Sequence, residues 1–199
     1  MQHRSEETRA RILSSAESLF ARKGYDATGV ADICDSAGVS KGAFYHHFPS
    51  KQAVFQALLE DWLQQLDFEM TQKLADSSDI PSGLITMAGQ TGKIFEGART
   101  RAVIFLEFWM QASRQPEFWQ VVVNPYYRYV RFFSEKFKEG IEEGSLSPNL
   151  NPEMASRLLI AMTLGILLQA FFDPSGTSWE EVTRQGVQSL MDGFRKKEL

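Results

Sequence analysis

The sequence predicts an all-α protein, with three short helices in the first fifty residues ahead of a larger helical bundle and about nine helices in all. Three observations predict this class. Apolar residues recur at the spacing i, i+3, i+4, i+7 along most of the 199 residues. Clusters of Gly, Pro, Ser and Asp punctuate that pattern at helix-length intervals. No segment alternates apolar and polar residues as a half-buried strand would, and no internal repeat is present.

The first helix is expected over residues 8 to 23, where Thr8, Ile12, Ala16, Leu19 and Phe20 share a face, and Gly24 stops it. A second follows with Val30, Ile33, Cys34 and Ala37 inward, Thr28 placed to cap its start and Gly38 to end it. Ser40 caps a third that carries Phe44 and Phe48 inward, Pro49 closes it, and Ser50 opens the next. From Lys51 to about Ala75 there is no Pro or Gly, and Val54, Leu58, Trp62, Leu66 and Leu74 keep a helical pattern. Such a helix is ~37 Å long, enough to link two domains. Asp76 to Gly83 reads as a linker, and further helices are expected at about 82 to 96, 100 to 114, 117 to 143 with a bend at Pro125, 152 to 172 and 178 to 197.

Composition narrows the function. A net charge of -4 excludes a protein that grips nucleic acid over its whole surface, so any positive field must be local. A single cysteine, Cys34, excludes a disulfide framework and a cysteine-rich metal site; it shares the apolar face with Val30 and Ile33 and reads as a small core residue. The charged N-terminus does not read as a secretory signal, and the most apolar run, Leu158 to Phe172, is shorter than the ~20 residues of a spanning helix and contains Thr163 and Gln169. A soluble, cytoplasmic protein is expected.

Catalysis finds no support. Gly89 to Ile94 has two glycines and a lysine, but the spacing is too short for a phosphate loop, no Ser or Thr follows the lysine, and no strand precedes it. There is no GxSxG or HExxH, and outside the pair His46 and His47 the only histidine is His3. Adjacent helical residues point about 100° apart, so that pair is a poor metal site. The expectation is no enzyme, no cofactor and no metal.

Residues 30–48, VADICDSAGVSKGAFYHHF, have the grammar of a helix-turn-helix: a short amphipathic helix, a glycine turn and a second capped helix. With Val30, Ile33, Ala37, Val39 and Phe44 turned toward the first helix, Lys41, Gly42, Tyr45 and His46 are left outward. Lys41 and His46 suit phosphates or base edges, Tyr45 offers a flat ring with a hydroxyl, and Gly42 allows close backbone approach. From Ser36 to Leu59 there is no Asp or Glu, which supplies the local positive field in an acidic chain.

Residues 8–60, including the KGY, AGVSKG and FYHHFPSK stretches, resemble the DNA-binding domain of the tetracycline-repressor (TetR) family. The resemblance covers about a quarter of the chain and implies domains at 1–52, for DNA binding, and 53–199, for ligand sensing and dimerisation. By position it implies a DNA-contacting set of Thr28, Lys41, Gly42, Tyr45, His46 and Lys51, with Thr28 and Lys51 on phosphates. Gly29 departs from the family, which usually has a hydroxyl residue there.

In the body, Phe105, Phe108, Trp109, Tyr126 and Tyr129 belong to a dense aromatic region, which usually means a packed core. The resemblance implies an effector cavity instead, expected to touch Trp62, Met87 and those five residues. Glu107 either pairs with an arginine such as Arg128 or faces a ligand. The resemblance also implies a dimer interface on the last two helices, along Leu159, Met162, Ile166 and Ala170 and along Val182, Gly186, Ser189, Leu190 and Gly193, although the same stripes could cover the protein's own core. The expected function is a homodimeric, ligand-responsive regulator, a repressor by the family's habit, that binds a pseudo-palindromic operator and is released by a hydrophobic or aromatic small molecule. The rival is an all-helical enzyme or carrier whose N-terminal helices only mediate association.

Overall fold

Glycine and serine set five of the helix ends in the first half of the fold. The computed structural model describes residues 2–89, 106, 109–110, 112–113, 116–173 and 175–196, and among them every regular element is a helix. These are α1 (Gln2–Lys23), α2 (Val30–Ala37), α3 (Lys41–His47), α4 (Lys51–Ala75), α5 (Ile80–Ala88), α6 (Pro116–Glu142), α7 (Pro152–Phe172) and α8 (Trp179–Phe194). The helix expected at 100 to 114 falls mostly outside the described residues, though Leu106, Trp109, Met110 and Ala112 are helical. α6 runs on through Pro125.

Gly24 and Gly38 take positive φ of 83° and 60°, the left-handed conformation that ends α1 and α2 without a Cβ clash. The Ser40 hydroxyl accepts from the Ala43 N–H at 3.1 Å and Ser50 from Ala53 at 3.1 Å, the caps that start α3 and α4. One expectation is corrected. The cap of α2 is Gly29, whose N–H donates to Asp32 Oδ2 at 2.8 Å, while Thr28 lies inside.

The chain forms two compact units, Met1–Leu66 with Thr100–Val122 and Asp67–Arg99 with Val123–Leu199. The division falls within α4 at Asp67, not at the expected residue 52. The reason is packing: Val54, Phe55, Ala57 and Leu59 are buried in the first unit, together with Ile12, Ala16 and Phe20 of α1, Ile33 and Cys34 of α2, and Phe44 of α3. Ring contacts carry this core across the helices, Phe20 to Tyr25 at 5.1 Å and Tyr25 to Phe55 at 5.8 Å between centroids. The Arg11 guanidinium donates to the carbonyls of Ala37 and Gly38, so α1 closes the C-terminal end of α2.

In the second unit α5 packs on α8 and α8 on α7. Its core includes Leu84, Phe137, Leu146, Leu159, Ile166, Val187 and Met191. At Gly140 a Cβ would meet Leu146 Cδ1 at 2.5 Å, so any larger residue would force the Leu146 side chain of the loop after α6 to shift. Glu143 then accepts from the Ile80 N–H at 2.8 Å at the start of α5.

Asp79 caps α5 by accepting from the Ser82 N–H at 2.7 Å, and that bond holds its carboxyl below the usual carboxylate range. Asp79→Ala is therefore expected to lower stability at neutral pH by ~1 kcal/mol. A depressed native pKa gives stability that is present above the unfolded value and lost as pH falls through the folded one, so the wild-type advantage should shrink steadily on acidification below the ordinary carboxylate range. Thermal unfolding of both proteins across that range checks it.

Candidate nucleic-acid interface

The outer face of α3 is built by what its inner face buries. Phe44 is fully buried and Phe48 nearly so, with ring centroids 6.2 Å apart, which fixes the rotation of the helix on the first unit's core. Lys41, Gly42, Tyr45 and His46 are consequently exposed, Tyr45 at 54%. The Tyr45 ring stands edge-on to Phe44 at 5.4 Å, so it projects from a rigid base. At Gly42 the nearest atom to an added Cβ would be Ser40 Oγ at 3.8 Å, which leaves the backbone open to a close partner. His47 is half-buried, and no group of three His, Cys, Asp or Glu side chains among the described residues could hold a metal ion.

Two members of the expected contact set sit elsewhere. Thr28 is fully buried and its hydroxyl donates to the Gly24 carbonyl at 2.8 Å, so its side chain is not offered to a phosphate. Lys51 is half-buried, and its Nζ donates to the carbonyls of Tyr25 at 2.7 Å and Thr28 at 2.9 Å, with Asp26 further off at 3.4 Å. Burial pulls its pKa down and Asp26 works the other way. At the start of α2, the carboxylate of Asp32 is held below its usual range by the Gly29 N–H and then by Lys23, whose Nζ is 3.3 Å away.

A residue that the sequence did not single out joins this surface. The exposed Arg9 places its guanidinium over the Phe48 ring at 5.4 Å, at the C-terminal end of α3. The two residues lie far apart in the chain, so only the fold brings them together.

The expected effector set falls only in part within the described residues. Phe105, Phe108 and Glu107 lie outside the described residues. In the first unit Trp62 packs against the core, and Trp109 is 43% exposed with its ring 6.3 Å from that of Trp119. In the second unit Met87 is half-buried, the Tyr126 hydroxyl accepts from Arg157 at 2.9 Å, and the Tyr129 hydroxyl donates to Asp67 at 2.9 Å. Burial and that bond push the Tyr129 pKa up to about 12. Arg128 pairs with Asp67 at 3.1 Å.

The expected dimer stripe is corrected in part. Leu159 is 3% exposed and Ile166 is buried, while a Cβ on Gly186 would meet Met162 Sδ at 3.1 Å and Ile166 Cδ1 at 3.7 Å. These residues, with Ala170 half-buried beside them, form the seam between α7 and α8 of one chain. Val182 and Leu190 are half-buried, and Ser189 and Gly193 are exposed. The apolar face left open on α7 is Met154, Leu158, Leu164, Leu168 and Phe172, with Gly165 facing open space.

Comparison with known proteins agrees with both halves of this geometry. Residues 12–58 match the family model for bacterial regulatory proteins of the tetR family, and residues 95–194 match that for the C-terminal part of BetI-type transcriptional repressors. The chain is 26% identical over 194 residues to the HTH-type transcriptional regulator UidR of Escherichia coli K12, covering 98% of this chain and 96% of UidR. It is 30% identical over 193 residues to the HTH-type transcriptional repressor KstR2 of Mycobacterium tuberculosis, covering 95% and 94%. The solved structure of that ketosteroid transcriptional regulator superimposes with a TM-score of 0.69 at 25% identity, covering 95% of each chain. The fatty acid degradation regulator FadR of Bacillus halodurans superimposes with a TM-score of 0.82 at 18% identity, covering 96% of this chain and 97% of its own.

Proposed function

The chain belongs to the tetR family of bacterial regulatory proteins and is a DNA-binding transcription regulator, not an enzyme; from that premise we propose that it is a repressor in the cytoplasm whose dimer reads a pseudo-palindromic operator through α3 and releases it when a hydrophobic small molecule binds. The observation that carries the reading is the outward face of α3. Lys41, Gly42, Tyr45 and His46 stand exposed on a helix without acidic residues, behind which Phe44 and Phe48 are locked in the core. A short recognition helix reads few base pairs, so useful specificity needs two copies on two half-sites about one helical turn apart.

The dimer is assigned to the open face of α7. Met154, Leu158, Ala161, Gly165, Leu168 and Phe172 follow one another at alternating steps of four and three, a single stripe along the helix, with Leu164 beside it. The exposed Ser189 and Gly193 of α8 allow a second backbone to come close. By length and composition alone Pro152–Ala170, at a mean hydropathy of 1.3, could cross a membrane. Two apolar faces, one against α8 and one for a partner, account for that hydropathy, and Arg157 with Glu153 at 2.8 Å in the first turns suits an aqueous setting better.

The hydrophobic character of the effector is supported by the description of KstR2 as a ketosteroid regulator and by the aromatic content of this chain, 12% of residues. Such a ligand can shift the equilibrium only by its differential affinity for the DNA-binding and free states. An effector should therefore weaken operator binding, and the half-exposed Trp109 should report its arrival by fluorescence.

Selection from a random duplex library is expected to enrich a palindrome. Six to ten phosphate contacts would give a log-log salt slope of roughly -5 to -9. Enrichment of no palindrome, or affinity indifferent to salt, would count against the reading.

A further inference from the structure

We infer that Lys51 is a positioning residue for DNA binding, one whose ammonium holds the loop between α1 and α2 in place instead of neutralising a phosphate. The inference rests on the DNA-binding reading above and refines its contact set. A lysine ammonium has three N–H donors. Here all three find carbonyls of one loop, Tyr25 at 2.7 Å, Thr28 at 2.9 Å and Asp26 at 3.4 Å, across separations of 23 to 26 residues. The same nitrogen lies 4.3 Å from the centroid of the Tyr25 ring, which is buried against Phe20 and Phe55. A phosphate contact would require Lys51 to release at least one carbonyl in a half-buried setting where water replaces it poorly.

The loop that it holds is the one that places α2. Thr28, whose carbonyl accepts from Lys51, immediately precedes Gly29, the cap of α2, and the Thr28 side chain is itself tied to Gly24 at 2.8 Å. α2 and α3 are in contact and share one buried core that includes Ile33, Cys34 and Phe44, so a shift at residues 25 to 29 is passed on to the recognition helix. Lys51 is also the first residue of α4, so one side chain fastens the loop ahead of the two recognition-motif helices to the start of the helix that follows them. The family resemblance implies a phosphate contact at this place; the fold gives the ammonium three carbonyl partners.

The test is the operator affinity of the full-length protein across a salt series, for wild type, Lys51→Ala and Lys51→Arg. Assays are run well below each melting temperature, with the active fraction fixed by stoichiometric titration. For Lys51→Ala a roughly tenfold loss is expected with the salt slope unchanged. Arginine should not restore it, because a planar fork does not reproduce three converging donors. Two phosphate contacts per dimer would instead make the slope shallower by about 1.8, and arginine would rescue them; that result overturns the inference. Unchanged affinity with only a lowered melting temperature overturns it too, since Lys51 would then serve stability alone. Should Lys51→Ala fail to fold, the wild-type lysine ammonium resonances decide. The signal absent in Lys51→Arg should exchange slowly with water and stay put when operator is added, whereas a shift with coupling to phosphorus means a phosphate contact. A wild type that binds no duplex at all refutes the DNA-binding reading before any variant is made.

Discussion

The double variant Leu158→Glu, Leu168→Glu is expected to be a folded monomer whose operator affinity is lower by at least about a hundredfold. Both side chains are exposed within one chain, 53% and 44%, so two glutamates there disturb little of the second unit's own core. In a symmetric dimer the same stripe faces its own copy, and the substitutions would place four carboxylates in one apolar seam. An unpaired buried charge costs about 3–5 kcal/mol, so four exceed what an interface of ordinary size can offset. The monomer keeps one recognition helix and one half-site, and loses the gain from joining two.

Sedimentation and far-UV circular dichroism, read beside operator titrations, separate the outcomes. A variant that stays dimeric would sink the assignment of this face. One that is monomeric yet binds as tightly as wild type would sink the need for two half-sites. Leu159→Glu serves as the contrast, because that side chain is 3% exposed and its carboxylate would enter the chain's own core and unfold it.

The contrast between Leu158 and Leu159 also marks where sequence reasoning runs out. α7 is apolar on two faces, and both Leu159-Met162-Ile166-Ala170 and Leu158-Ala161-Gly165-Leu168 keep helical spacing. Periodicity identifies the helix but cannot say which stripe the chain covers itself; that depended on where α8 lands, with Gly186 against Met162. Around α2 and α3 the sequence was far more legible. There the signals are local: a glycine at positive φ, a serine three residues ahead of the N–H that it caps, phenylalanines at four-residue spacing. The resemblance puts Thr28 and Lys51 on phosphates, and only the hydrogen bonds to turn carbonyls, Thr28 to Gly24 and Lys51 to Thr28, reveal otherwise. The same holds for Arg9 over Phe48 and for Arg128, whose carboxylate partner is Asp67 on another helix. Residue type and spacing report what a segment does by itself, while partners distant in the chain require the fold.

Tyr45→Ala is expected to lower operator affinity by ~30-fold or more while leaving the fold and the salt slope intact. Each half-site loses one base-reading side chain, worth ~1–3 kcal/mol, and a dimer loses two. The residue is 54% exposed, so the cost to stability is limited to its edge-on contact with Phe44 at 5.4 Å, about 0.5–1.5 kcal/mol. Since tyrosine carries no charge, no counterion is released on its account and the slope should hold. Binding to random duplex should change far less than binding to operator, because phosphates hold both while base edges hold only one. Base preference should relax near the middle of each half-site and stay sharp elsewhere. Tyr45→Phe divides the effect further: if the ring packs on a thymine methyl or a sugar, phenylalanine keeps most of the affinity, and if the hydroxyl bonds a base or a phosphate, it behaves like alanine. A folded Tyr45→Ala protein with wild-type affinity and unaltered preference would mean that α3 does not lie in the groove, and the recognition surface would have to be sought on another helix.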